Sequence, residues 1–263
     1  MHFITVNEQL LHFQDAGNPT GTALVFVNSL GTDLRIWDAL VSHFAADYRI
    51  IRHDKRGHGL SGCPQPPYTI RQHADDLAGL LDELQIGKAI LIGISVGGMI
   101  ALDFAAQHPQ RLEKLVLCDT APKIGTPEMW NERIAALRAH GMAHLGAAIL
   151  ARWFAPEFAA AQPDAYGGYG NMLTRTPVDG YTGTCEAIRD ADLWPQVGKI
   201  RAPTLVLCGS EDMATPPAQA QQLTAALPNA NCTIIDGAAH LPCIEQPQVM
   251  AAAIAKFLKG EER

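Results

Sequence analysis

The stretch Ile90-Leu91-Ile92-Gly93-Ile94-Ser95-Val96-Gly97-Gly98 decides how this chain is read. A β-rich apolar run leads into the pattern G-x-S-x-G, and a helix-compatible stretch, Val96 to Gln107, follows it. A sharp strand-to-helix turn of this kind strains its central serine and leaves it exposed at the mouth of a sheet. Small residues at Gly93 and Gly97 let neighbouring backbones come close. Ser95 is therefore the candidate nucleophile. The bland alternative, a glycine-rich turn with an idle serine, accounts less well for the strand and helix patterns on either side.

Working outward, short apolar runs recur at Leu24 to Val27, Tyr48 to Arg52, Ala89 to Ile94, Lys114 to Cys118, Thr204 to Cys208 and Cys232 to Ile235. Amphipathic stretches such as Ile70 to Leu84 and Val96 to Gln107 separate them and are long enough for crossover helices. This alternation predicts an α/β fold with a mostly parallel central sheet and helices on both faces. The rhythm breaks between about Pro122 and Trp194, where strand-like runs disappear and three of the four tryptophans gather among Ala, Gly and helix formers. We read residues 123–195 as an inserted helical cap, which leaves a core made of residues 1–122 and 196–263.

The 263 residues carry a formal charge of −7 with both signs interspersed, so no basic face is available for nucleic acid. Met1 to Gln9 lacks the basic start and apolar run of an export signal. The apolar runs are far shorter than the roughly 20 residues that a membrane-spanning helix needs. The expectation is a cytoplasmic protein with no membrane partner. Six cysteines without C-x-x-C spacing read as reduced core or pocket residues. His140 and His144 share helical spacing, but a zinc-hydrolase motif needs Glu directly after the first His, and that position is Gly141. Neither a metal nor a cofactor is expected.

A serine hydroxyl needs a base to take its proton as it attacks. Cys232-Thr-Ile-Ile-Asp-Gly-Ala-Ala-His240 offers one after a strand and a small-residue loop, so His240 is the candidate base. An acid must orient the imidazole, and Asp212 follows the strand at Thr204 to Cys208. Glu211 beside it and Asp119 after an earlier strand compete for the role. The chain order of nucleophile, acid and base favours Asp212. The oxyanion of the tetrahedral intermediate needs preorganised N–H donors. Val96, next to the nucleophile, supplies one, and Leu30 in the loop Asn28-Ser-Leu-Gly-Thr32 is the candidate for the other.

With these residues assembled, the chain resembles the α/β-hydrolases over its whole length, and among them the 3-oxoadipate enol-lactonases of bacterial aromatic degradation. The broad resemblance rests on Gly93-Ile-Ser-Val-Gly97, Asp54-Lys-Arg-Gly-His-Gly-Leu-Ser61, Gly209-Ser-Glu-Asp212 and His240. The narrower one rests on Asn28-Ser-Leu-Gly-Thr-Asp33, where many relatives carry His-Gly, on Trp130-Asn-Glu-Arg133 with Arg138 and Gly141-Met142, and on Tyr181 to Asp192. It implies hydrolysis of 3-oxoadipate enol-lactone to 3-oxoadipate in the β-ketoadipate pathway. Ser95 would attack the lactone carbonyl, and His240 would activate the water that releases the acyl group.

The implied substrate is a small lactone bearing a carboxylate, which an arginine fork suits. Arg133 is the first choice, with Arg138, Arg152 and Arg189 behind it. Trp130 is expected to wall the pocket and donate its indole N–H. His58, between glycines, is read as shaping a loop. A general carboxylesterase and a cofactor-free haloperoxidase or perhydrolase would use the same triad, and a ligand receptor could share the fold. Dehalogenases and epoxide hydrolases of this fold need an aspartate where Ser95 stands.

Overall fold

A computed structural model describes residues 1–261. Eight strands form one sheet: β1 (His2–Val6), β2 (Gln9–Gly17), β3 (Ala23–Val27), β4 (Arg49–His53), β5 (Ala89–Ile94), β6 (Leu112–Cys118), β7 (Thr204–Gly209) and β8 (Ala230–Ile235). Their order is β1-β2-β4-β3-β5-β6-β7-β8. Every pair from β4 to β8 is parallel, while β1 pairs with β2 and β2 with β4 antiparallel. The six strands expected from sequence are present. The β1–β2 hairpin was not expected, because it is an amphipathic edge with exposed Phe3 and Leu10. Its turn, Asn7-Glu8 with both φ positive, carries no glycine to announce it.

The helices are α1 (Asp38–Phe44), α2 (Ile70–Glu83), α3 (Val96–Gln107), α4 (Pro127–His140), α5 (Met142–Trp153), α6 (Pro156–Ala161), α7 (Pro163–Thr174), α8 (Val178–Asp190), α9 (Trp194–Val197), α10 (Pro217–Ala226), α11 (Pro242–Glu245) and α12 (Pro247–Lys259). Local chemistry sets several of their starts. Thr69 and Gln72 form a reciprocal capping box on α2, and Thr126 accepts the Met129 N–H ahead of Pro127 on α4.

From β3 the chain steps one way to β4 and then back across to β5, β6 and beyond. Right-handed crossovers therefore put α1 on one face and α2 and α3 on the other, where those two pack together. The reversal leaves a crevice beyond the carboxyl ends of β3 and β5, the place where such sheets bind ligands.

Helices α4 to α8 all lie between β6 and β7, and the Leu193 N–H to Pro122 carbonyl bond, 3.0 Å, ties the two ends of this excursion together. Trp194 begins α9, which packs on α3. Helix α8 reaches the loop after β4 through two glycines: a Cβ on Gly57 would stand 2.4 Å from the Gly180 Cα. Among the described residues, no helix is long and apolar enough to cross a membrane.

Candidate active site

Ser95 sits at the tip of β5 with φ 58° and ψ −122°, a conformation that L residues avoid. The neighbouring chain enforces it. The Ser95 N–H donates to the Cys118 carbonyl at 2.9 Å, and the Ser95 carbonyl accepts from Thr120 Oγ1 at 2.6 Å. The two glycines of the motif are sterically required: a Cβ at Gly93 would lie 2.3 Å from the Gly97 carbonyl oxygen, and one at Gly97 would lie 2.1 Å from that of Val27. One expectation is corrected. Ser95 is only 8% exposed, because the helices between β6 and β7 roof it over.

Ser95 and His240 line one cavity of about 600 Å³, counted to its open mouth. His240 follows β8 on a loop drawn in from two sides. Ala239 N–H donates to Glu245 Oε2 at 2.7 Å, and Leu241 N–H donates to the Trp153 carbonyl at 3.2 Å. The imidazole Nδ1 lies 2.9 Å from Asp212 Oδ2. Because a carboxylate only accepts, Nδ1 carries the proton and Nε2 keeps its lone pair available to accept one.

Asp212 also accepts from Ala214 N–H (2.7 Å), Thr215 N–H (3.2 Å) and Thr215 Oγ1 (2.6 Å). Burial alone would raise its pKa, but the His240 charge and these donors outweigh it and hold the group well below the usual carboxylate range.

Asp119, at the tip of neighbouring β6, shows the opposite balance. It is fully buried with φ 46° and, among the described residues, accepts the Gly209 N–H (2.8 Å) through Oδ1 and leaves Oδ2 without a hydrogen-bond partner. Burial first, and the Asp212 charge second, push its pKa well above normal. Of the two carboxyls, Asp212 is the one that meets the His240 ring, and its environment favours the charged form where that of Asp119 disfavours it. Asp119, Cys208 and Asp212 also bring ligand atoms within 4.8 Å of one another. Metal ligands must be deprotonated, whereas burial pushes the pKa of both the Asp119 carboxyl and the Cys208 thiol upward, against that form. Asp212 is already committed to His240.

Leu30 reaches the cavity from the loop after β3. Val96, fully buried, opens α3, where the first N–H groups have no intrahelical acceptor. Among the described residues, no backbone carbonyl takes up the Leu30 or Val96 N–H. These loops flank the crevice between β3 and β5 from opposite sides. His58 shapes the first loop: its Nδ1 lies 3.1 Å from the Arg56 carbonyl and its Nε2 accepts the Gly31 N–H at 3.0 Å. Burial holds its pKa well below the ordinary value, so the ring stays neutral.

The opposite wall comes from α4, α5 and α8. Trp130 lines it, but its indole N–H is spent on the Ile124 carbonyl at 2.7 Å, so the expected donation to substrate is corrected. That bond folds the segment before α4 back over the ring. Arg133 is half-buried in the same wall, with its guanidinium carbon 4.9 Å from the Trp130 ring centroid. Its charge partly offsets the upward push of burial on Tyr181.

Of the other arginines considered, Arg138 pairs with Glu186 at 2.8 Å and Arg189 with Asp190 at 2.7 Å, and neither lines the cavity. Arg152 does line it, and donates to the Met213 carbonyl at 3.2 Å. Among the described residues, neither Arg133 nor Arg152 pairs with a carboxylate, and no Asp or Glu lines the cavity. Sequence reasoning missed Glu245, which also accepts the Ala155 N–H at 2.7 Å and so joins the α5–α6 junction to the His240 loop. Its one signal was an acid five residues after His240 in the otherwise uncharged run Leu241-Pro-Cys-Ile244.

A strained serine at a strand tip, a histidine backed by a buried carboxylate and a sheet with this order define a class. The alpha/beta hydrolase fold family matches residues 22–247, and the chain belongs to it. It is a hydrolase.

Among its relatives, 3-oxoadipate enol-lactonase 2 of Acinetobacter baylyi is 34% identical over 256 residues, covering 97% of this chain and 96% of that protein. The enol-lactonase of Burkholderia xenovorans superposes with a TM-score of 0.96 at 36% identity, covering 98% of this chain and all of that one. A thermophilic esterase of Thermogutta terrifontis, solved with malate bound, follows with 0.92 at 29% identity and 98% of each chain covered.

Proposed function

We propose that this protein opens 3-oxoadipate enol-lactone to 3-oxoadipate through an acyl-enzyme on Ser95, in the cytoplasm and in the service of aromatic compound breakdown. The observation that carries this reading is the charge of the cavity. In a protein of net charge −7, the space shared by Ser95 and His240 is lined by two arginines that have no carboxylate partner among the described residues. Such a cavity favours a small anionic acyl compound over a neutral ester. The names of the two enol-lactonases above supply the particular lactone, and malate in the esterase relative is likewise a carboxylate.

In the first step His240 Nε2 takes the Ser95 proton as Oγ bonds to the lactone carbonyl carbon. The Leu30 and Val96 N–H groups hold the oxyanion. The ring C–O bond then breaks, the imidazolium returns its proton to the enol oxygen, and the enol stays tethered to the acyl chain. Water, deprotonated by His240, attacks the acyl-enzyme and releases the second carboxylate with Ser95 restored. The enol relaxes to the ketone.

Arg133 carries the substrate's free carboxylate in this scheme, with Trp130 as its packing surface and Arg152 as a second cation. Residues 123–195 act as the cap that sets specificity, and residues 1–122 and 196–263 as the core that does the chemistry. The test is a hydrolysis assay with the enol-lactone and a neutral ester of similar size. Ser95→Ala is expected to lower kcat on both by about 10⁵-fold or more. Near-normal rates in that variant would sink the mechanism.

A further inference from the structure

Lys55 is one of the largest fully buried side chains of the molecule, at 2% exposure, and among the described residues it forms no ion pair. Its ammonium donates to the Ser29 carbonyl at 2.5 Å and reaches the Thr32 carbonyl at 3.5 Å. The Ser29 carbonyl also accepts Thr32 Oγ1 at 2.9 Å and the Thr32 N–H at 3.4 Å. That carbonyl belongs to the same peptide unit as the Leu30 N–H. A trans peptide is planar, with its C=O and N–H pointing in opposite directions. A carbonyl pinned inward by Lys55 therefore turns the Leu30 N–H away from the lysine, on the residue that lines the cavity with Ser95 and His240.

We propose that Lys55 is a positioning residue of the oxyanion site: it fixes the Ser29–Leu30 peptide and, through its charge, strengthens the Leu30 N–H as a donor. The inference rests on the hydrolytic role of Ser95 proposed above. Burying an ammonium against carbonyls is costly, and a neutral donor would be enough merely to close the loop. What the charge adds is polarisation of the peptide along the line on which an oxyanion forms, in a site of low dielectric.

The groups facing Lys55 keep that charge local. Asp33, in the loop after β3, is engaged by Arg35 at 2.6 Å. Asp54, after β4, accepts the Leu34 and Leu60 N–H groups and lies 2.7 Å from His12 Nδ1. His53 and His58 from the β4 segment and His73 from α2 are held neutral, first by burial and then by the Lys55 charge. Arg56 is closed off by its ion pair with Asp76. Burial pushes Lys55 itself down to about 7, against the opposing pull of Asp54 and Asp33. Its charge is therefore present at lower pH and lost as pH rises through neutrality.

The test is kcat and KM, measured from pH 6 to 9.5 on the enol-lactone and a neutral ester, for the wild-type protein, Lys55→Met and Lys55→Arg. Lys55→Met is expected to lose about 10- to 100-fold in kcat, less than deletion of an oxyanion donor costs, with KM within about twofold. Wild-type kcat is expected to fall on an alkaline limb that Lys55→Met lacks. Lys55→Arg, whose charge persists, should hold its kcat to pH 9.5. A kcat in Lys55→Met above about half of wild type, or a loss confined to KM, overturns the proposal. Should Lys55→Met fail to fold, the wild-type profile decides, and a kcat flat to pH 9.5 overturns it. Hydrolysis of neither substrate by wild type would bring down the hydrolase reading as well.

Discussion

The two sides of the cavity are built by different means. On the sheet side, three polar groups are each fixed by several hydrogen bonds: Asp212 accepts four, the Ser29 carbonyl accepts three within 3.4 Å, and Asp54 engages three groups. On the helical side, Arg133 lies over Trp130 and beside Tyr181. Proton transfer and oxyanion capture tolerate errors of only about half an ångström, which multiple hydrogen bonds can enforce. Carboxylate recognition, the role proposed for Arg133, needs a cation only at roughly the right place, for which a side chain stacked on a ring would be enough. The comparison teaches that rate should reside on the sheet side and substrate preference on the helical side.

The strongest attempt to break this division is Asp212→Asn. Asparagine can still occupy the loop but cannot stabilise the imidazolium, so kcat should fall about 10⁴-fold on acidic and neutral substrates alike. Its counterpart Asp119→Asn, which replaces a carboxyl whose charged form burial disfavours and which is bonded through one oxygen, should leave kcat within about threefold, since the group neither bonds to His240 nor lines the cavity. Large losses from Asp119→Asn would move the orienting acid to β6.

Arg133→Ala sharpens the other half. We expect kcat/KM for the carboxylate-bearing lactone to fall about 10- to 100-fold, the range for a charged hydrogen bond, with the neutral ester changed less than about threefold. Equal losses on both would remove Arg133 as the anchor.

The smallest effect concerns Glu245, which spans the two sides. Burial raises its carboxyl from 4.5 to about 7 against the pull of the Ala155 and Ala239 N–H groups. Between those values the folded protein retains a proton that the unfolded chain has released. This group's contribution to stability therefore falls as pH rises from about 4.5 to 7 and stays low above that. Glu245→Gln removes the linkage. The melting temperature of the variant relative to wild type should rise across that window, and a constant offset from pH 4.5 to 8 would contradict it.

The G-x-S-x-G turn was legible because its chemistry is local: the backbone at Ser95 and the close approaches at Gly93 and Gly97 demand those residues whatever lies around them. Strand periodicity likewise found β3 to β7, because strands buried on both faces must be near-continuously apolar, while the partly exposed edge strand β8 was found through the short run Cys232 to Ile235. The β1–β2 edge escaped, since an amphipathic hairpin carries no such run.

Ser95, His240 and Leu30, which line one cavity, and Asp212, which meets His240, were thus candidates from sequence alone, as was the order of the strands from β3 onward. Four matters waited for the tertiary structure. It gave Asp212 four donors where Asp119 meets the Gly209 N–H, left Arg133 and Arg152 without a carboxylate partner among the described residues while matching Arg138 and Arg189 with acids, and spent the Trp130 indole on Ile124. It also set Lys55 beneath the Ser29–Leu30 peptide, although the two are some 26 positions apart. The physical reason is the same in each case. A motif records what a backbone conformation demands of its own residues, whereas ionisation and hydrogen-bond partnership depend on groups distant in the chain that only folding brings within about 3 Å.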